Sequence, residues 1–234
     1  MYSNLKIVDF GLSAYREIWE CQKRHFQSLV ALKQNHAPIS EEYLLIGEHL
    51  PVYTLGFHGD ERNLLVSEEW LNKSGTEVIR IERGGDITYH GPGQLIVYPI
   101  IDLDAKKMSV KDYMWSLEEC VIRLIAEYNI KGERVDGATG VWIDKGKQSE
   151  RKICAMGVRC RRHITMHGLA LNISTDLSAF GRINPCGFVD KGVTSLCEEI
   201  AIKNLHEDIV SPDMSDVKRK FIKIFKRVFE FEPN

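Results

Sequence analysis

Apolar positions recur along the 234 residues with two different periods. Between 13 and 33, Tyr15, Ile18, Trp19, Phe26, Leu29, Val30 and Leu32 fall near the i, i+3, i+4, i+7 stripe by which a helix buries one face, and Ser13 is placed to cap its first turn. The period returns at Val110, Tyr113, Met114, Leu117, Val121, Leu124, Ile125 and Tyr128, where Ser109 and Asp112 have the spacing of a capping box. It recurs over 195–209 and 215–229, the last stretch setting Val217, Phe221, Ile224, Phe225 and Val228 on one face amid lysines and arginines. Between these helices the apolar runs are short and rich in β-branched and aromatic types, at 43–47, 51–55, 78–82, 95–101, 140–143, 152–159 and 164–174, which predicts strands. The stretch 83–94 holds four glycines and a proline and predicts a loop between two of them; the polar stretch 144–152 predicts a hairpin tip. Strands and helices in segregated runs predict one α+β domain over 1–234, a mixed or largely antiparallel sheet with flanking helices.

Composition narrows the function. With 44% hydrophobic and 27% charged residues the chain reads as an ordinary globular protein, large enough to fold without disulfides or structural metal. Its six cysteines show no close pairs and follow no secretory signal, so they are expected as reduced thiols. A net charge of −2 argues against a protein that wraps nucleic acid or coats an anionic membrane. Acidic residues early in the chain, and the lack of any long uncharged apolar stretch, make a cytoplasmic location the expectation.

The densest chemistry lies in Arg83-Gly84-Gly85-Asp86-Ile87-Thr88-Tyr89-His90-Gly91-Pro92-Gly93-Gln94. Glycines there let backbone approach a ligand closely, but the segment matches no phosphate-binding loop and opens no helix, so no nucleotide cofactor is called for. A tight ligand-free connection fits the pattern equally well. The segment closely resembles the signature of the octanoyltransferases of protein lipoylation. Glu48-His49-x-Pro51-Val-Tyr-Thr-Leu-Gly, Lys152-Ile-x-Ala-x-Gly-Val-Arg, His167-Gly-Leu-Ala-Leu-Asn, Ile183-Asn-Pro-Cys-Gly and Val193-Thr-Ser-Leu are similar to further segments of that family, in order.

The resemblance implies the fold of biotin and lipoate protein ligases. It implies transfer of an octanoyl group from octanoyl-acyl carrier protein to a lysine of a lipoyl domain, in 2-oxoacid dehydrogenase complexes or the glycine cleavage H protein. It also implies Cys186 as the acyl-accepting nucleophile and Lys152 as the cation and acid/base beside it, since a free thiol is mostly protonated at neutral pH. His90 and His167 are then expected to orient the substrate. Ala155, Met156, Gly157, Gly168, Leu169 and Ala170 are expected as the walls of a narrow acyl slot. An ATP-dependent ligase and a non-catalytic acyl-binding module on the same fold remain alternatives.

Three side readings follow from the residues. Cys154 stands two positions after Lys152, so strand alternation would place both on one face. Cys154, Cys160, His163 and His167 are metal-ligand types within a short span, but they fall on two strands and a charged turn, and no metal is expected. Basic residues at Lys145, Lys147, Arg151, Arg161 and Arg162 are candidates to receive an acidic carrier.

Overall fold

The computed structural model describes residues 3–184, 192–203 and 212–231. Cys186 and the second half of the helix expected over 195–209 lie outside them. Elements run β1 (Asn4–Ser13), α1 (Tyr15–Gln34), β2 (Glu41–His49), β3 (Val52–Leu55), α2 (Glu68–Ser74), β4 (Glu77–Arg80), β5 (Ile87–His90), β6 (Gln94–Ile100), α3 (Val110–Ala126), β7 (Glu133–Val135), β8 (Ala138–Ile143), β9 (Arg151–Arg161), β10 (Ile164–Asn172), β11 (Gly192–Val193), α4 (Leu196–Lys203) and α5 (Met214–Val228). Among the described residues no helix is long and apolar enough to cross a membrane.

The larger sheet has the order β1-β2-β6-β10-β9-β8-β7, with β11 added beside β9, and a smaller one has the order β4-β3-β5. Pairings are mostly antiparallel; β1–β2, β3–β4 and β9–β11 are parallel, which makes the fold the expected α+β with a mixed sheet. On one face of the large sheet, α3 and α5 bury Leu117, Val121, Phe221 and Phe225 against Leu95, Leu171, Ile153 and Cys154. On the other, α1 buries Ile18, Phe26 and Leu29 against Ile96, Met166 and Ala170. At about 25 cal/mol per Å² of apolar surface, such two-sided burial dominates the stability of the sheet.

The start of α3 agrees with its sequence. Ser109 Oγ accepts from Asp112 N–H (3.1 Å) and the Asp112 carboxylate accepts from Ser109 N–H (2.9 Å), a complete capping box. Ser13 does not cap α1. It ends β1, a strand the hydrophobic pattern did not signal, because this outermost strand is largely exposed and alternates poorly; Ser13 Oγ donates to Phe10 O (2.6 Å), and Ala14 holds the N-cap position without a side-chain bond. The glycine-rich stretch also differs from a simple loop: Ile87–His90 pairs with Val52–Leu55 as β5, leaving turns on either side.

Candidate active site

The site is built on β9 and β10, whose register sets Ala155 opposite Ala170, Met156 opposite Leu169 and Gly157 opposite Gly168. The expected slot walls thus meet across one ladder. Gly157 has a packing reason, for a Cβ there would stand 2.7 Å from Gly84 O, so the glycine-rich turn lies directly on the strand. Gly84 N–H donates to Val158 O (3.1 Å) and seals that approach.

Two breaks in strand alternation shape the face that carries the slot. From Ala155 and Gly157, strict alternation would point Ile153 into the slot and Lys152 away. Instead Val141 pairs with Cys154 while Trp142 pairs with Lys152, so Ile153 is left as a bulged residue. Ile153 and Cys154 both enter the core under α3, and Lys152 turns onto the slot face. Gly140 permits this, with φ at 116°, since a Cβ there would sit 2.4 Å from Cys154 O. The second break is at His167, whose φ of 61° turns its ring onto the face shared with Ala170. Cys154 therefore does not share the face of Lys152: it is fully buried, and burial pushes its thiol well above the usual range.

A single pocket gathers Lys152, Arg83, Gly85, Asp86, Ile87, Thr88, His90, Ala155, Met156, Gly157, His167, Gly168, Leu169 and Ala170. Gly84 and Tyr89 stand behind it. Tyr89 packs its ring on Tyr53 and Phe180, at centroid distances of 5.3 and 5.8 Å. Tyr15, Tyr98, Trp142, Phe180, Gly192 and Val193 complete the lining. The first four carry no signal in the hydrophobic pattern beyond that of core aromatics, and only assembly of the strands brings them to the site.

Lys152 Nζ lies 4.5 Å from the Trp142 ring centroid, a cation–π contact. Its backbone is fixed from the other side: Val193 pairs with Lys152 in β11, and Thr194 N–H donates to Lys152 O (3.0 Å). Next to it, Arg151 donates to both oxygens of the Glu199 carboxylate at 2.6 Å and to Asp144 at 2.7 Å, while Thr194 Oγ donates to Glu199. Arg151 is thus a structural clamp between β9 and α4 rather than an open docking cation, and Lys147 is paired with Asp144.

The other end of the pocket is polar and buried. The Arg83 guanidinium donates to Thr54 O (2.6 Å), to Thr54 Oγ1 and to Gly84 O. His90 Nδ1 is 2.8 Å from Gln94 Oε1, and Gln94 Nε2 donates to Asn172 Oδ1 (2.9 Å). Tyr98 OH lies 2.9 Å from His49 Nε2. Burial holds these imidazoles neutral, pushing His90 and His167 down to about 3 and His49 to about 4. Among the described residues no three His, Cys, Asp or Glu side chains gather as a metal site. Cys154 faces the α3 core and His167 the slot, which separates two of the four metal-type residues that sequence alone puts close together.

The profile of the lipoyl protein ligase A/B catalytic domain matches residues 15–226. The octanoyltransferase of Bacteroides fragilis is 48% identical over 213 residues, covering 91% of this chain and 92% of the relative. That of Flavobacterium johnsoniae is 44% identical over 238 residues, covering 99% of each. A lipoate-protein ligase A solved with ATP has the same fold at a TM-score of 0.69 and 14% identity, covering 98% of this chain and 86% of that one. The bi-partite lipoate protein ligase of Thermoplasma acidophilum, at a TM-score of 0.68 and 16% identity, covers 98% and 84%. A slot of small residues closed by buried polar rings, with a lysine at one end, thus stands in a chain that belongs to the lipoyl protein ligase A/B catalytic-domain family, among its octanoyltransferases.

Proposed function

We propose that this chain moves an octanoyl group from acyl carrier protein to a lipoyl-domain lysine through a thioester on Cys186, with Lys152 as acid and base. The observation that carries the reading is the placement of Lys152. A β-bulge turns it into the slot walled by Ala155, Gly157, Gly168 and Ala170, and β11, which pairs with it, is the strand that follows the segment bearing Cys186. Both flanks of that segment are tied down, Asn184 N–H donating to Asn63 O (2.7 Å) and Gly192 pairing with Arg151.

In the first half-reaction Lys152 takes the Cys186 proton and the thiolate adds to the carrier thioester carbonyl. The carbonyl–sulfur bond to the carrier breaks, and the Lys152 ammonium returns the proton to the departing thiol. In the second, the acceptor amine adds to the Cys186 thioester, loses a proton to Lys152, and Cys186 leaves as thiol. Thioester exchange is nearly balanced and amide formation runs downhill, so no nucleotide enters. The acceptors this chemistry fits are lipoyl domains of 2-oxoacid dehydrogenase complexes and the glycine cleavage H protein. Residues Arg83–Asp86, His90 and His167 bind and orient the chain.

The test is the intact mass of wild type and Cys186→Ser after brief mixing with octanoyl carrier protein and no ATP. An octanoyl increment on wild type alone, mapped to Cys186, is the expected result. Amide product that forms only with ATP overturns the reading.

A further inference from the structure

The polar end of the slot contains one side chain unlike its neighbours. Arg83, His90 and Tyr98 are each held by protein partners. His167 is 1% exposed and lines the slot, yet neither ring nitrogen finds a hydrogen-bond partner among the described residues. Its backbone N–H donates to Gln22 Oε1 (3.1 Å), and Gln22 Nε2, fully buried beside it on α1, likewise lacks a partner among the described residues. A neutral imidazole carries one donor and one acceptor nitrogen, and buried polar atoms are ordinarily satisfied, so the unpartnered ring points to a ligand group able to give or take a hydrogen bond there.

Its depth says which part of a substrate it meets. Ala155 pairs with Ala170 near the lysine end, and Val158 pairs with His167 three residues farther along. That is roughly 10 Å of strand, about the reach of an extended eight-carbon chain. Between them lie Gly157 and Gly168, with Met156 and Leu169 turned to the α3 core, and the Arg83 side chain that crosses Gly157 gives its hydrogen bonds to Thr54 and Gly84.

We propose that His167 is a specificity-determining residue at the far end of the slot, and that it admits acyl chains bearing a neutral hydroxyl on the terminal carbon. This rests on the proposed acyl transfer, which fixes the reacting end of the chain at Lys152. The chemistry at the thioester is unchanged; the hydroxyl hydrogen-bonds one ring nitrogen of His167, donating to it or accepting from it according to the tautomer, in a site that an unsubstituted octanoyl chain leaves to water.

The experiment compares transfer of octanoyl and 8-hydroxyoctanoyl groups from carrier protein to a lipoyl domain by the full chain. A wholly apolar pocket penalises an added hydroxyl by about 100-fold in kcat/KM. The expected wild-type penalty is under about 10-fold. His167→Phe should raise it toward 100-fold, while His167→Asn, which tolerates left-handed backbone and keeps a donor and an acceptor, should hold it low. A positional arm needs no variant: 4-hydroxyoctanoyl, whose hydroxyl meets the apolar middle of the slot, should be rejected about 100-fold by wild type while the 8-hydroxy chain is not. A wild-type penalty near 100-fold for the 8-hydroxy chain overturns the proposal, including the case where water on His167 does not yield to the chain. So does equal tolerance of both hydroxyl positions, or an unchanged ratio in a folded His167→Phe. Transfer of octanoyl alone sinks this inference only, whereas transfer of neither chain sinks the acyl-transfer reading with it.

Discussion

The two faces of the β9–β10 ladder are made of the same strands and obey different rules. Under α3 and α5 the ladder shows Ile153, Cys154, Leu169 and Leu171 to a close-packed core. Toward the slot it shows the small residues Ala155, Gly157, Gly168 and Ala170, Gly157 lying directly under the backbone of Gly84, together with Lys152 and His167. Lys152 and His167 reach that face only because the strands depart from regular alternation, by a bulge in β9 and by left-handed backbone in β10. Packing rewards regularity on the core face, while chemistry on the slot face is placed by local irregularity that the core holds rigid.

The sharpest way to break this contrast is to remove the displaced lysine. Lys152→Ala should lower kcat/KM for octanoyl transfer by about 10³-fold with little change in thermal midpoint, since a positioned acid/base contributes about 10²–10⁴-fold. A loss under tenfold would show that the bulge serves packing alone.

Acid should strike the slot side before the core side. The folded pKa values of His49, His90 and His167 are held near 4, 3 and 3, below the unfolded value of 6.5, so between those limits the unfolded chain binds protons the native one refuses. Their contribution is therefore intact above pH 6.5 and is lost as pH falls below it. Between pH 7 and 5.5 the three together should cost about 4 kcal/mol of stability, measurable by denaturant titration at the two values. His49→Gln, which removes one of the three, should flatten that dependence by about a third. The carboxylates whose pKa values are lowered, such as Asp60, Asp144 and Asp216, titrate below this window and leave it unaffected.

Filling the slot tests its width. Ala155→Leu should cost about 10–100-fold in kcat/KM for octanoyl and shift preference toward shorter chains, because the added methylenes occupy the path of the substrate rather than core space. Equal loss for four-carbon and eight-carbon donors would argue that the chain lies elsewhere.

The smallest effect is expected across the ladder. Cys154→Ala should reduce stability by about 1 kcal/mol, the scale of one small buried group, and leave transfer within threefold of wild type. Alkylation of the native chain should spare Cys154 at pH 8, since burial raises its thiol pKa far above that value. Modification there in the folded protein would contradict the core placement.

Much of the architecture was legible in periodicity. The stripe from Val110 to Tyr128 and its capping box became α3 because helix period, cap and core face all agree there. The outermost strand β1 was not legible, since its residues alternate poorly and half-face solvent, and β5 was hidden by the glycines and proline around it. For the site, the segments holding Arg83, His90, Lys152 and His167 could be singled out by residue type and by resemblance. Their orientation could not. Period-two reading put Cys154 beside Lys152, and the bulge opposite Gly140 separated them.

The sequence by itself determined the helix faces, the approximate strands, the small-residue walls and the family, because these depend on local period and on linear motifs. Tertiary structure alone decided which face each chemical group occupies. It joined Tyr15, Tyr98, Trp142 and Phe180 from four separate elements into one lining, left His167 neutral and unpaired among the described residues, and bound Arg151 to Glu199 instead of to solvent. The reason is physical: register, bulge position and burial are set by contacts between residues far apart in the chain, and a side chain's partners and protonation follow from burial rather than from its neighbours in sequence.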